Sequence, residues 1–172
     1  CVRIRRSIPA VQVYQPESDQ IVTEIRLREF REGDLDEIHR IERSSYPTPW
    51  SMNFLRLMAN MNPELFIVAT VDKDVVGYTV GELNARPDIR VGHVMNVAVD
   101  ARHRNRGVGT ILMDELESRF HRLGATAAYL EVRESNLDAQ RLYSRRGYVF
   151  LRKAEAYYGD EDGFVMTKAL DG

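Results

Sequence analysis

The spacing of apolar residues changes from segment to segment along the chain, and it predicts the elements. Between residues 24 and 30, Ile25 and Leu27 alternate with charged residues, the period of a half-buried strand. The period then lengthens. Leu35, Ile38 and Ile41 form a helical stripe, with Asp34 placed to cap its start and Glu37 to reach back from three residues on. Tyr46-Pro47-Thr48-Pro49-Trp50 ends that helix, because neither proline can continue it. Ser51 caps a second, short helix running to Met58. Residues 65–71 and 75–83 read as an antiparallel hairpin turning at Asp72-Lys73-Asp74, followed by a loop over 84–90 that contains Pro87. Residues 92–99 are almost wholly apolar, which places that strand in the sheet centre.

A basic, glycine-bearing turn leads into a helix over 107–123. Its apolar positions are Val108, Leu112, Leu116, Phe120 and Leu123, and Gly124 stops it. Residues 127–132 form another buried strand. Asn136 then caps a helix that turns Ala139 and Leu142 inward and ends in Arg145-Arg146-Gly147, cations at the negative helix end followed by glycine. Strands over 148–154 and 163–167 close the chain. The order β-α-α-β-β-β-α-β-α-β-β, with no repeat or linker, predicts one α/β domain with a mixed sheet and helices on its faces. The domain is expected over 23–172. Residues 1–22, with Arg3, Arg5, Arg6 and two prolines, read as an extended leader.

Composition narrows the classes. A length of 172 residues suits one domain. The formal net charge of -2 points away from nucleic acid and from an anionic membrane surface as bulk partners. No apolar run approaches the ~20 residues of a membrane span. Cys1 is the single cysteine, so no disulfide forms within this chain, and the usage fits a reducing cytoplasm. No His, Cys, Asp and Glu spacing resembles a metal site. The sequence leaves the oligomeric state open.

Chemistry concentrates where the central strand runs into Arg104-Asn105-Arg106-Gly107-Val108-Gly109-Thr110 and a long helix begins. Orphan N–H groups and the dipole at a helix start attract an anion. Gly107 and Gly109 admit a close phosphate, the arginines add charge, and Thr110 adds a hydroxyl. A P-loop would need Lys and then Ser or Thr after the second glycine, where Thr110-Ile111 stands. A dinucleotide fingerprint would need a third glycine at Leu112. A tight strand–helix turn with solvated arginines is the plainer alternative.

The run Arg104-x-x-Gly107-x-Gly109 after an Asn-Val-Ala-Val strand resembles the cofactor signature of the GNAT acetyltransferase superfamily. The segments Leu130-Glu131-Val132-Arg133-x-Ser135-Asn136, Leu142-Tyr143, Gly147-Tyr148 and Tyr157-Tyr158-Gly159-Asp160-Glu161-Asp162-Gly163 extend the resemblance. They are similar to the ribosomal-protein alanine acetyltransferases and the archaeal Ard-type N-terminal acetyltransferases, over residues 25–170. The resemblance implies a single GNAT-like domain with a mostly antiparallel mixed sheet and helices on both faces. It implies acetyl-CoA as cofactor, with its arm paired to the backbone of Val97, Ala98 and Val99 and its pyrophosphate on Asn105 through Thr110. It also implies a contact from Asn136, which read from the residues alone is equally a plain helix cap.

Acetyl transfer from a thioester to an amine needs a base for the ammonium and an acid for the leaving thiolate. Glu131 lies inside the apolar strand Tyr129-Leu130-Glu131-Val132, where burial favours the basicity a general base requires. The other reading pairs it with Arg133. The resemblance implies Glu131 as base, Tyr143 as acid, and His93 sharing the base role; a core tyrosine and a structural histidine are the alternatives. It also sets residues 45–51 and 157–162 beside the acceptor, with Tyr157 and Tyr158 holding a peptide backbone and Tyr46 or Trp50 lining a pocket for its first side chain. Pro47-Thr48-Pro49-Trp50 lacks the acidic residue of some Ard-type enzymes, which favours a small first residue. The expected activity is acetylation of peptide or protein N-termini. A lysine or small-amine acetyltransferase and a non-catalytic acyl-CoA sensor stand beside it.

Overall fold

Over residues 24–170, which the computed structural model describes, the apolar periods resolve into one seven-stranded sheet flanked by helices. The predicted leader over 1–22 lies outside the described residues. In chain order the elements are β1 (Ile25–Glu29), α1 (Leu35–Ser45), α2 (Met52–Met61), β2 (Phe66–Val71), β3 (Asp74–Arg86), β4 (Ile89–Val99), α3 (Val108–Arg122), β5 (Ala127–Arg133), α4 (Leu137–Arg145), β6 (Val149–Ala154) and β7 (Gly163–Ala169). The strands lie in the order β1-β2-β3-β4-β5-β7-β6, with the apolar β4 in the middle. Every neighbouring pair is antiparallel except β4 and β5.

Each face of the sheet carries its own core. Ile67, Ala69, Val76, Val94, Leu130 and Met166 pack with Leu112, Leu116 and Phe120 of α3 and with Tyr143 of α4. Phe66, Val68, Tyr78, Val80 and Ala98 pack with Ile38 and Ile41 of α1 and Leu55 of α2. Burying these side chains on both faces supplies the main stabilisation, at roughly 1.5–3 kcal/mol for each large one. Phe120 lies flat on the sheet because Gly92 has no side chain: a Cβ there would sit 2.3 Å from its ring.

Two local expectations are corrected. Residues 84–90 are not a loop, since β3 and β4 continue as a hairpin to Arg86 and Ile89. Pro87 occupies the two-residue turn, where its missing N–H costs no ladder bond. Asp34 stands at the N-cap of α1 but makes no cap bond. Its carboxylate takes both Nη groups of Arg28 at 2.7 Å and the Arg31 N–H at 2.8 Å, and Glu37 pairs with Arg40 instead of reaching back. Asp34 ends a 3₁₀ turn over Glu32–Asp34 and already has helical backbone, so its carboxylate reaches back to Arg31 and Arg28 rather than forward into α1. Ser51 caps α2 as predicted, its Oγ accepting from Phe54 N.

The feature that shapes the molecule is a β-bulge in β4. The pairing with β3 runs Val80↔Asn96 and then Gly81↔Val94, so Met95 is an extra residue. A bulge reverses the side-chain alternation. Before it, Val94 faces α3; after it, Val97 and Val99 pack on that side while Ala98 joins the core under α1.

Candidate active site

β4 and β5 pair only from Val91↔Ala127 to Val94↔Leu130, although the strands continue to Val99 and Arg133. The bulge at Met95 turns β4 away, and a slot opens between the two strands. Val97, Ala98 and Val99 lie along its edge, with no described strand beside them on the β5 side. One end of the slot is the basic loop. There Asn105 (φ 59°) and Gly107 (φ 81°) adopt left-handed backbone, a conformation that turns successive N–H groups into a concave nest. The cap bond of α3 runs from Ile111 N to Gly107 O at 3.0 Å, so Val108, Gly109 and Thr110 contribute the orphan N–H groups of the helix start. Gly109 approaches Leu142 and Val99, and a Cβ on it would meet them at no less than 3.6 Å.

This loop is braced from beneath. Asp100 is buried and accepts from Arg102 N at 2.9 Å and from the Arg102 guanidinium at 3.1 Å, with Arg40 as a further partner. The hydrogen bonds from Arg102, and then those from Arg40, hold its carboxyl well below the usual range. Arg104 donates from Nε to Val99 O at 3.1 Å and from Nη2 to Ser45 Oγ at 3.3 Å, tying the loop to β4 and α1. Arg106 is exposed. Asn136 caps α4, its Oδ1 accepting from Ala139 N at 3.2 Å.

At the other end of the slot lies a cavity of about 440 Å³ between the segment joining α1 to α2 and the turn joining β6 to β7. His93, Glu131, Tyr143, Tyr46, Trp50, Tyr157 and Tyr158 all line it, so all seven residues predicted for chemistry and acceptor binding converge there. His93 Nε2 and Glu131 Oε2 lie 2.7 Å apart, the carboxylate accepting. The imidazole is stacked on Tyr129 at 4.4 Å between ring centroids, which fixes its plane. The alternative pairing of Glu131 with Arg133 does not form. Arg133 instead binds Asp160 and Glu161 at 3.2 and 3.1 Å and lies 4.3 Å above the Tyr158 ring, securing the β6–β7 turn. Tyr46 donates its hydroxyl to Val97 O, and Trp50 meets Phe54 edge-on at 4.8 Å.

Sequence reasoning missed the buried carboxylate of this cavity. Glu42, 1% exposed, accepts from Trp50 N at 2.9 Å, from Asn96 Nδ2 at 3.0 Å and from the Tyr78 hydroxyl. It thereby holds the α1–α2 segment against β3 and β4. The signal was there: Glu42 stands four residues after Ile38 and seven after Leu35, on the apolar stripe of its helix.

The tyrosines of the cavity are held neutral. Burial pushes Tyr143 up to about 12, and burial followed by the charge of Glu131 pushes Tyr157 up to about 12. Because the folded state keeps these protons longer than an unfolded phenol near ~10, stability is full below about pH 10 and falls as pH rises toward about 12. Denaturant unfolding at stepped pH, with tyrosinate absorbance recorded in parallel, should show the midpoint dropping across that window. An unchanged midpoint at pH 11 would contradict it.

The Acetyltransferase (GNAT) family matches this chain over residues 35–148. An uncharacterised N-acetyltransferase of Methanocaldococcus jannaschii is 37% identical over 145 residues, covering 83% of this chain and 90% of its own. An N-alpha-acetyltransferase of Sulfurisphaera tokodaii is 32% identical over 157 residues, covering 86% and 94%. The crystal structure of Ard1 from Thermoplasma volcanium superposes with a TM-score of 0.81 at 30% identity, covering 86% of this chain and 99% of that one.

Proposed function

The chain belongs to the GNAT acetyltransferase family, and on that footing we propose that it transfers the acetyl group of acetyl-CoA to the N-terminal α-amine of a polypeptide by direct attack. One observation carries the mechanism: the His93–Glu131 pair and Tyr143 share the cavity that the β4–β5 slot enters. Acetyl-CoA supplies the activated acyl thioester when bound. The chain fits it, because the nest at Asn105–Gly107 and the free N–H groups of α3 suit a pyrophosphate, and the edge of β4 that no described strand covers suits the amide groups of the arm. Val97, Ala98, Val99, the residues from Arg104 to Thr110, and Asn136 would hold it.

Glu131 takes the proton of the acceptor ammonium, and His93 orients that carboxylate. Tyr143, protonated at neutral pH, donates to the departing sulfur. Arg104 acts chiefly by keeping the loop on β4, and Arg106 provides the freer cation. Tyr157 and Tyr158 form one wall for the acceptor backbone, and Tyr46, Pro47, Thr48 and Trp50 the other. A wall of two tyrosines on a hairpin suits a narrow peptide, and the uncharged Pro47-Thr48-Pro49 segment suits a small first residue such as Ala or Ser, as in alanine acetyltransferases. The single cysteine of the sequence fits action in a reducing cytoplasm. No helix among the described residues is long and apolar enough to cross a membrane.

The test is thiol release from acetyl-CoA with free peptides beginning Ala, Ser, Met and Glu, run beside an N-blocked peptide containing lysine. Turnover is expected on the free Ala and Ser peptides. Turnover confined to the blocked peptide would move the function to lysine. Silence on all of them despite cofactor binding would leave the sensor reading.

A further inference from the structure

The sheet face that carries Glu131 does not end at the acceptor cavity. α1 and α2 cover its β1–β4 half, and beyond them a second concavity of about 640 Å³ spans from the β3–β4 hairpin to β6. Its floor is apolar: Ile89, Val91, Leu151 and Val165. Ile89 is 51% exposed and Leu151 58%, so this surface has no partner within the described residues. Arg86 and Arg152 stand over it and are the only charged side chains among its described lining residues.

The two concavities adjoin where Tyr129 of one stacks on His93 of the other. Alternation along β5 puts Ala127, Tyr129 and Glu131 on one face. Tyr129 lines the groove, its ring stacks on His93 of the acceptor cavity, and its hydroxyl accepts from Asn84 Nδ2 at 2.8 Å. From Glu131 back to Ala127 is four residues of strand, about 13 Å at ~3.3 Å each. That is also the reach of four residues of an extended peptide. The β4–β5 slot, on the cofactor side, opens beyond the last pair at Val94↔Leu130, at the opposite end of β5 from Ala127. A polypeptide presenting its amine to Glu131 and running back along β5 would enter the groove.

We propose that this groove binds residues four to six of the acceptor polypeptide and selects apolar side chains accompanied by an acidic one. The inference rests on the reading of the site as an α-amine acetyltransferase. Adjacency to the acceptor cavity along one face of β5, through Tyr129 and His93, names the occupant, and two arginines lining an apolar floor name its chemistry.

The experiment compares octapeptides that share Ala-Ser-Ala at the start and carry Leu-Glu-Leu, Leu-Lys-Leu or Gly-Ser-Gly at positions four to six, with the tripeptide Ala-Ser-Ala as reference. Binding of fluorescent versions, with CoA present, is followed by anisotropy. The Leu-Glu-Leu peptide should show a KM about tenfold below the Gly-Ser-Gly peptide at similar kcat. In the Arg86→Glu, Arg152→Glu double variant the order of the Glu and Lys peptides should invert while turnover of the tripeptide is retained. Equal KM values for all octapeptides would overturn the proposal. So would self-association of the protein that Leu151→Arg abolishes without moving the peptide ranking, since a second copy would then own the groove. If no free N-terminus is acetylated but anisotropy gives the predicted ranking, the groove stands and the α-amine reading falls.

Discussion

Replacing Glu131 by glutamine should lower kcat on a free N-terminal peptide by about 10²–10³-fold and leave the KM for acetyl-CoA nearly unchanged, as expected for loss of a general base. An α-ammonium has a pKa near ~8, so most acceptor molecules at neutral pH carry a proton that must leave before attack. On the proposed mechanism Glu131 takes it; its carboxylate lies 2.7 Å from His93, whose imidazole stacks on Tyr129. Glutamine has the same shape and still bonds the imidazole, so the fold and the cofactor slot remain. Thiol release under saturating acetyl-CoA gives kcat directly. A rate within a few-fold of the parent would remove Glu131 from the chemistry and direct attention to Glu42, the other carboxylate of the cavity.

Glu42→Ala should be the most destabilising single change at the site, at about 3–5 kcal/mol, since it strands buried donors. Three groups depend on that carboxylate: the Trp50 N–H, the Asn96 amide and the Tyr78 hydroxyl. They come from three separate parts of the chain, and Tyr78 is fully buried and Asn96 only 8% exposed. Glu42→Gln keeps an acceptor and should cost about 1–2 kcal/mol. Urea unfolding of the three proteins decides it, and equal midpoints for parent and alanine variant would show the network to be dispensable.

How far these residues were visible in the sequence follows from physical range. The central position of β4 was legible because residues 92–99 are almost wholly apolar, with no alternating polar period. The anion loop was legible because glycine, arginine and a helix start act over a few residues. The β-bulge was not: nothing in Val94-Met95-Asn96 announces an extra residue, which appears only against the partner strand. The slot that follows from it was therefore reached through family resemblance rather than through the pattern. Long-range partners were also out of sight. The alternatives for Glu131 named its neighbour Arg133, whereas the structure supplies His93, thirty-eight positions earlier. Arg104 was expected as a charge for the cradle and is engaged by Val99 and Ser45. Pro87 looked like the middle of a long loop because a two-residue turn and a loop show the same breaker residue.

The short parallel seam between β4 and β5 also governs how the molecule is built in time. β2, β3 and β4 are joined by two-residue turns, so their pairing closes small loops. The seam must instead join Val94 to Leu130 across the whole of α3, and a parallel crossover carries the larger closure entropy for only four residue pairs in return. The β1–β4 strands are thus expected to gain hydrogen-exchange protection before the β5–β7–β6 unit docks on them, and simultaneous protection of both would argue otherwise. On this order the slot exists only once the last junction has closed, so the chain acquires its capacity for chemistry in its final folding step.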